Sequence, residues 1–185
     1  MIINPPNISW LEEKIPTEIY TYLLSQIAIA KDDYKHQLAG HISRSLQLPD
    51  EKKIFTNYLL EKAKELNWDP LTGNVNLWVN FQKKYEYNPA HVHSGKLSFV
   101  LWMKIPYTQE DEKRTDIATG INDQCLNGSF EITYADILGQ LRRYSVLLDK
   151  DAEGVLLMFP ATTQHCVYPF FTSDEYRVSI SGNLS

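Results

Sequence analysis

From Gly73 onward the chain alternates apolar and polar residues with a period of two, in the segments NVNLWVNFQ, LSFVLWMKI, GSFEITY, RRYSVLLD, EGVLLMFP, QHCVYPF and EYRVSISGN. Successive side chains of an extended strand point to opposite faces, so each segment reads as a short strand, and the Gly, Asn, Asp and Pro residues between them read as turns. The N-terminal third keeps a different period. After Pro16, Thr17 stands where a helix cap belongs, and Ile19, Tyr22, Leu23, Ile27 and Ala30 recur at three- and four-residue steps along one face. Asp50 is placed to cap a second helix whose stripe is Ile54, Phe55, Tyr58, Leu59 and Leu66, ending at Asn67 and an Asp69-Pro70 turn. Many short strands after segregated helices predict a mainly β protein, an antiparallel jelly roll or small barrel braced by N-terminal helices, and not alternating βαβ units. One domain over residues 1–185 is expected, with a helical scaffold over 1–72 and the β core over 73–185.

The alternation also sorts the strand faces. In NVNLWVNFQ, Val75, Leu77, Val79 and Phe81 form an apolar row, and Asn76, Trp78, Asn80 and Gln82 form the opposite one. In EYRVSISGN, Val178 and Ile180 oppose a row of Arg177, Ser179, Ser181 and Asn183. One face packs against helices, and the polar rows are free to line a pocket.

Composition narrows the function classes. The 185 residues are 43% hydrophobic, enough for a globular core without staples. Eighteen basic and 23 acidic residues give a net charge of −5 with no basic block, which argues against a nucleic-acid partner. The N-terminus carries no cationic segment followed by an apolar stretch, and no window approaches the roughly 18 apolar residues of a membrane span. A soluble, cytoplasmic protein with no membrane partner is expected. Cys125 and Cys166 lie outside any CxxC spacing and read as reduced thiols.

The chemistry concentrates in NPAHVHSGKLSFVLWMKIP, where two of the five histidines stand two apart. Strand geometry directs residues i and i+2 to one side, so His91 and His93 point together, as two ligands of one metal would. His165 follows much later, at a separation that a barrel closes. Three imidazoles with coordination positions to spare describe a reactive centre and not a closed structural one. Twelve residues after His165 comes Arg177, with Ser179 on the same face, a planar fork and a hydroxyl matched to a carboxylate. The plainer reading pairs Arg177 with Asp174 or Glu175 at the surface; the neighbouring Ser179 favours the clamp. Trp78, Asn80 and Trp102 are candidates for a substrate mouth. His36 and His41 lack spaced partners and read as surface residues. Cys166 points away from the His165 face, Asn88-Pro89 reads as a turn, and the polar stretch from Tyr107 to Gly128 reads as a long loop, disordered or functional.

The histidine pair, the distant histidine and the Arg-x-Ser of the last strand resemble the Fe(II)- and 2-oxoglutarate-dependent oxygenase superfamily, over roughly Asn80 to Leu184. More narrowly, NPAHVHSGKLSFVLWMKIP with MFPATTQHCVYPFFTSDEYRVSISGN resembles a small prolyl-hydroxylase-like group of oxygenases of marine bacteria and their phages. The resemblance implies a double-stranded β-helix, with His91, His93 and His165 as ligands of Fe(II). It implies that Arg177 and Ser179 bind 2-oxoglutarate as co-substrate, and that His91, His93, His165 and Arg177 form the catalytic set. The reaction it implies is hydroxylation of an unidentified small-molecule or peptide substrate by molecular oxygen, with release of succinate and CO2. The chain departs from the superfamily at His93, where a carboxylate is usual, and no acidic residue stands between Glu86 and Glu110 to replace it. Two alternatives follow from that departure: a metal- and 2-oxoglutarate-binding protein with altered or lost catalysis, or a three-histidine cupin-type dioxygenase. The second of these would have no use for Arg177-x-Ser179.

Overall fold

The computed structural model of the protein describes residues 7–38, 40–66, 72–118 and 125–185. Among the described residues, ten strands and three α-helices follow one another as β1 (Leu11–Lys14), α1 (Thr17–Ile29), β2 (Arg44–Gln47), α2 (Ile54–Glu65), β3 (Val75–Gln82), β4 (Asn88–His91), β5 (Leu97–Lys104), α3 (Gln109–Lys113), β6 (Phe130–Ala135), β7 (Leu141–Val146), β8 (Val155–Pro160), β9 (Gln164–Val167) and β10 (Arg177–Leu184). The strands form a six-stranded sheet in the order β1-β8-β5-β10-β3-β2 and a four-stranded sheet in the order β4-β9-β6-β7, with every pairing antiparallel.

Two apolar layers follow from the alternation. On the outer face of the large sheet Leu77, Val79, Phe99, Leu101 and Ile180 pack against Leu23 of α1 and Phe55, Leu59 and Ala63 of α2. Between the sheets Val100, Trp102, Leu157 and Phe159 meet Phe130 and Ile132. The rows read from the sequence are the rows that form: the odd positions of β3 face the helices, and Asn76, Trp78, Asn80 and Gln82 face the space between the sheets.

Several local expectations need correction. Thr17 is the first helical residue of α1; Pro16 takes the cap position and no side chain caps the helix. Asp50 does satisfy the start of α2, accepting from the Phe55 N–H (3.3 Å), the Thr56 N–H (2.7 Å) and the Thr56 hydroxyl (2.7 Å), although Lys53 occupies the cap position itself. Ile54 is exposed; Phe55, Leu59 and Ala63 are buried, and Tyr58 and Leu66 pack against the same core in part. The Asp69-Pro70 turn lies outside the described residues. The first 72 residues also supply two strands, β1 and β2, whose four-residue lengths carry no readable alternation. Asn88-Pro89 belongs to strand β4, not to a turn; proline is tolerated there because β4 is an edge strand.

β10 is the central organiser, paired along its length with both β3 and β5. At Gly182 those neighbours approach so closely that an added Cβ would collide with the Asn76 carbonyl oxygen and lie 2.6 Å from the Phe99 ring. Gly182→Ala is therefore expected to destabilise the fold by about 1–3 kcal/mol, the usual cost of overpacking a tight core. A lowered midpoint of denaturant unfolding with unchanged slope is the expected result.

Candidate metal centre

Three histidines converge where the two sheets open. β4 and β9 pair so that His91 and His165 are direct register partners. β4 ends at His91, and His93 is held just beyond it by its backbone N–H, which donates to the Ala161 carbonyl (2.9 Å); Val92 between them turns outward. The ring centroids lie 4.9 Å (His91–His93), 4.3 Å (His91–His165) and 5.1 Å (His93–His165) apart. One nitrogen from each ring falls within 4.8 Å of the other two.

Two of the rings have their tautomers set. His91 Nδ1 lies 2.7 Å from the Pro89 carbonyl and His165 Nδ1 lies 3.0 Å from the Thr163 carbonyl. A carbonyl only accepts, so each Nδ1 must carry the hydrogen and each Nε2 keeps its lone pair for a ligand. The aromatic wall of Phe159 (4.9 Å) and Phe130 (5.6 Å) encloses His165. Burial, and then the neighbouring His91, push its pKa down to about 3, and the same causes push His93 down to about 4. His93 and His165 are thus neutral donors at ordinary pH, and imidazole nitrogens suit iron, nickel, copper or zinc better than calcium or magnesium.

A cavity of about 370 Å³ joins these rings to Arg177, at the start of β10. Arg177 is 2% exposed, and no carboxylate among the described residues lies within 4.0 Å of it. Asp174 pairs instead with Lys84 and Glu175 with Lys104, each at 2.5 Å, so the surface-bridge reading of Arg177 fails. Its guanidinium donates to Gln82 Oε1 (3.1 and 2.5 Å), the Tyr107 hydroxyl (2.6 Å), the Gly128 carbonyl and the Tyr168 carbonyl (3.2 Å), and lies against the Phe170 ring (5.6 Å). Ser179 lines the same cavity.

Trp78, Asn80 and Trp102 all reach this cavity. Trp78 stacks on Tyr34 (5.5 Å) and stands 5.9 Å from His93. Asn80 bridges Ser45 (2.7 Å) and Ser181 (3.4 Å), and Trp102 packs edge-on to Phe130. His36 pairs with Asp33 at the surface and His41 stacks on Tyr87, both apart from the centre. The sequence reading missed Tyr34 and the role of Gln82; the second was signalled only by its place on the polar row of β3. Of the Tyr107–Gly128 stretch, Tyr107 and Gly128 pack against Arg177 and none of the described residues lines the cavity; residues 119–124 lie outside the described residues. Tyr34, Gln37, Leu38, Gly40 and Ile42, between α1 and β2, also line it.

A family model described as "Putative 2OG-Fe(II) oxygenase" matches residues 76–183. No curated protein matches the chain. Among solved structures, a Pseudomonas putida prolyl-4-hydroxylase is similar at 11% identity with TM-score 0.54, covering 96% of this chain and 92% of its own. A Trichoplax adhaerens prolyl hydroxylase in complex with a hypoxia inducible factor peptide fragment is similar at 10% identity with TM-score 0.55, and HygX of Streptomyces hygroscopicus, with nickel and 2-oxoglutarate bound, at 10% with TM-score 0.52. Each of these last two alignments covers 95% of this chain and 82% of the other. The shared architecture is the double-stranded β-helix.

The lowered histidine pKa values carry a sign. The unfolded chain takes up protons near pH 6.5 while the folded His93 and His165 resist until about 4 and about 3, so acid favours unfolding. The metal-free protein is expected to lose stability as pH falls from about 6.5 toward 4, and His165→Ala to flatten that slope. Denaturant unfolding at pH 7 and pH 5 measures both.

Proposed function

The chain belongs to the 2OG-Fe(II) oxygenase family over residues 76–183, and from that membership we propose that His91, His93 and His165 hold the iron while Arg177, with Ser179, anchors 2-oxoglutarate. The protein is an Fe(II)- and 2-oxoglutarate-dependent oxygenase, a hydroxylase by class. The observation that carries the residue assignment is one cavity joining three convergent imidazole nitrogens to a buried arginine with no carboxylate partner among the described residues. When bound, the iron supplies oxidative decarboxylation of 2-oxoglutarate to succinate and CO2 by molecular oxygen, coupled to hydroxylation of a substrate C–H bond.

The protein's own residues supply position and environment. The Pro89 and Thr163 carbonyls hold His91 and His165 with Nε2 turned inward. Arg177 places a fixed cation at one end of the cavity for the distal carboxylate of the co-substrate, and Phe130 and Phe159 exclude water beside His165. Away from Arg177 the lining is uncharged, with Trp78, Asn76, Ser98, Ser181 and Asn183. That lining favours a neutral hydrogen-bonding group, from a small molecule or a peptide side chain, and the peptide bound by the Trichoplax relative supports the peptide form.

A second reading rests on His93. A third imidazole in place of a carboxylate leaves the centre more positive by one charge, which favours a protein that binds metal and 2-oxoglutarate with altered or no turnover. Succinate release in the presence of iron and oxygen separates the readings. His93→Asp is expected to change both iron affinity and substrate-free consumption of 2-oxoglutarate; a variant equal to the parent in both removes His93 from the ligand set.

The two anchors are separable. His91→Ala and His165→Ala are expected to abolish stoichiometric iron by metal analysis while the fold persists. Arg177→Leu is expected to keep iron and weaken 2-oxoglutarate by about 2–5 kcal/mol, as when one partner of a buried charge pair is truncated, and Arg177→Lys to recover only part. Anaerobic calorimetric titration of 2-oxoglutarate into iron-loaded protein measures this, and equal affinity in parent and Leu variant removes the anchor.

A further inference from the structure

Arg177 and Gln82 are direct partners across β10 and β3. Gln82 Oε1 accepts from both Nε (3.1 Å) and Nη2 (2.5 Å) of the guanidinium, and so occupies the paired edge that a carboxylate grips with its two oxygens. The remaining donors go to the Tyr107 hydroxyl, the Gly128 carbonyl and the Tyr168 carbonyl. A guanidinium has five N–H donors, and all five are taken.

Of these acceptors only Gln82 lines the cavity that holds the histidines; Tyr107, Gly128 and Tyr168 lie behind Arg177. A ligand entering from the cavity therefore meets Arg177 at the edge Gln82 covers. The carboxamide is a neutral acceptor, and a carboxylate in its place adds charge–charge attraction and a second acceptor oxygen matched to the fork. Gln82 is itself held from outside the cavity, its Nε2 donating to the Glu86 carbonyl (2.6 Å).

We propose that Gln82 covers the carboxylate-binding edge of Arg177 in the resting protein and is displaced by the distal carboxylate of 2-oxoglutarate, so that this one carboxamide sets co-substrate affinity. The inference rests on the assignment of Arg177 as the co-substrate anchor. Apparent affinity is then the intrinsic affinity reduced by the fraction of molecules in which Gln82 has already left Arg177.

Substitution at Gln82 gives opposite signs. Gln82→Ala removes the competitor and is expected to tighten 2-oxoglutarate about tenfold, the factor for a competent state populated at about 10%. The same variant leaves two buried donors without acceptors, so the melting temperature of the ligand-free protein is expected to fall and the rise on adding 2-oxoglutarate to exceed the parent's. Gln82→Glu puts a permanent carboxylate on that edge and is expected to weaken 2-oxoglutarate at least about tenfold. The measurements are anaerobic titration of 2-oxoglutarate into iron-loaded protein and melting of the metal-free protein, with iron stoichiometry as the control for folding. Parental or weaker binding by Gln82→Ala overturns the proposal, because Gln82 then presents Arg177 to the ligand instead of covering it. Parental binding by Gln82→Glu overturns it as well, and this variant decides alone where Gln82→Ala fails to fold. Arg177→Leu in the same series keeps the two ideas apart: if it binds as the parent does, the anchor assignment has failed, whatever Gln82 does.

Discussion

Arg177 is a buried cation with no carboxylate beside it among the described residues, and meeting its needs constrains the interior of this protein. Removing a guanidinium from water costs several kcal/mol unless its donors are met, and Arg177 meets its own through β3, Tyr107 in the loop after β5, the loop before β6 and the residue after β9. Four separate stretches of chain must be in place before that charge is satisfied. Arg177 therefore ties the open end of the sandwich together at the same point where it faces the cavity.

The complementary charge lies close by but does not touch it. Glu112, on α3, is fully buried and is satisfied by the Phe171 N–H (3.0 Å) and by the N–H (2.9 Å) and hydroxyl (2.6 Å) of Thr172. Tyr107 feels both groups: burial raises its pKa most, Arg177 opposes that rise and Glu112 adds to it. Cation and anion are each held by backbone and neutral side chains, and the segment after β9 is gripped from both sides. Had the two charges met, Arg177 would have its counter-ion already and no electrostatic reason to take a ligand's carboxylate.

The histidine end follows the opposite strategy. There His93 and His165 are packed among Trp78, Phe130 and Phe159, and burial disfavours their charged forms. The cavity is thus lined by one cation, Arg177, by the three imidazoles and by uncharged polar side chains such as Asn76, Ser98, Ser181 and Asn183.

Much of this was legible in the sequence, because strand alternation is local. The pleat alone places Asn76, Trp78, Asn80 and Gln82 opposite Val75, Leu77, Val79 and Phe81, and it aims His91 and His93 together even though the strand ends between them. The family motif likewise resides in a few residues at characteristic spacing. What the sequence could not supply depends on register and on edges. β1, β2 and β4 are short edge elements, defined by the strand they pair with and not by their own pattern. The pairing of Gln82 with Arg177 requires alignment of two strands nearly a hundred residues apart, and a slip of one residue would have put Gln82 on the other face. The same holds for which residues before β2 line the cavity. Tyr34 reaches it through a stack on Trp78 and a backbone bond to Ser45, contacts that exist only once β2 has paired with β3. Local sterics wrote the faces; long-range pairing, which has no local signal, decided which residues share them.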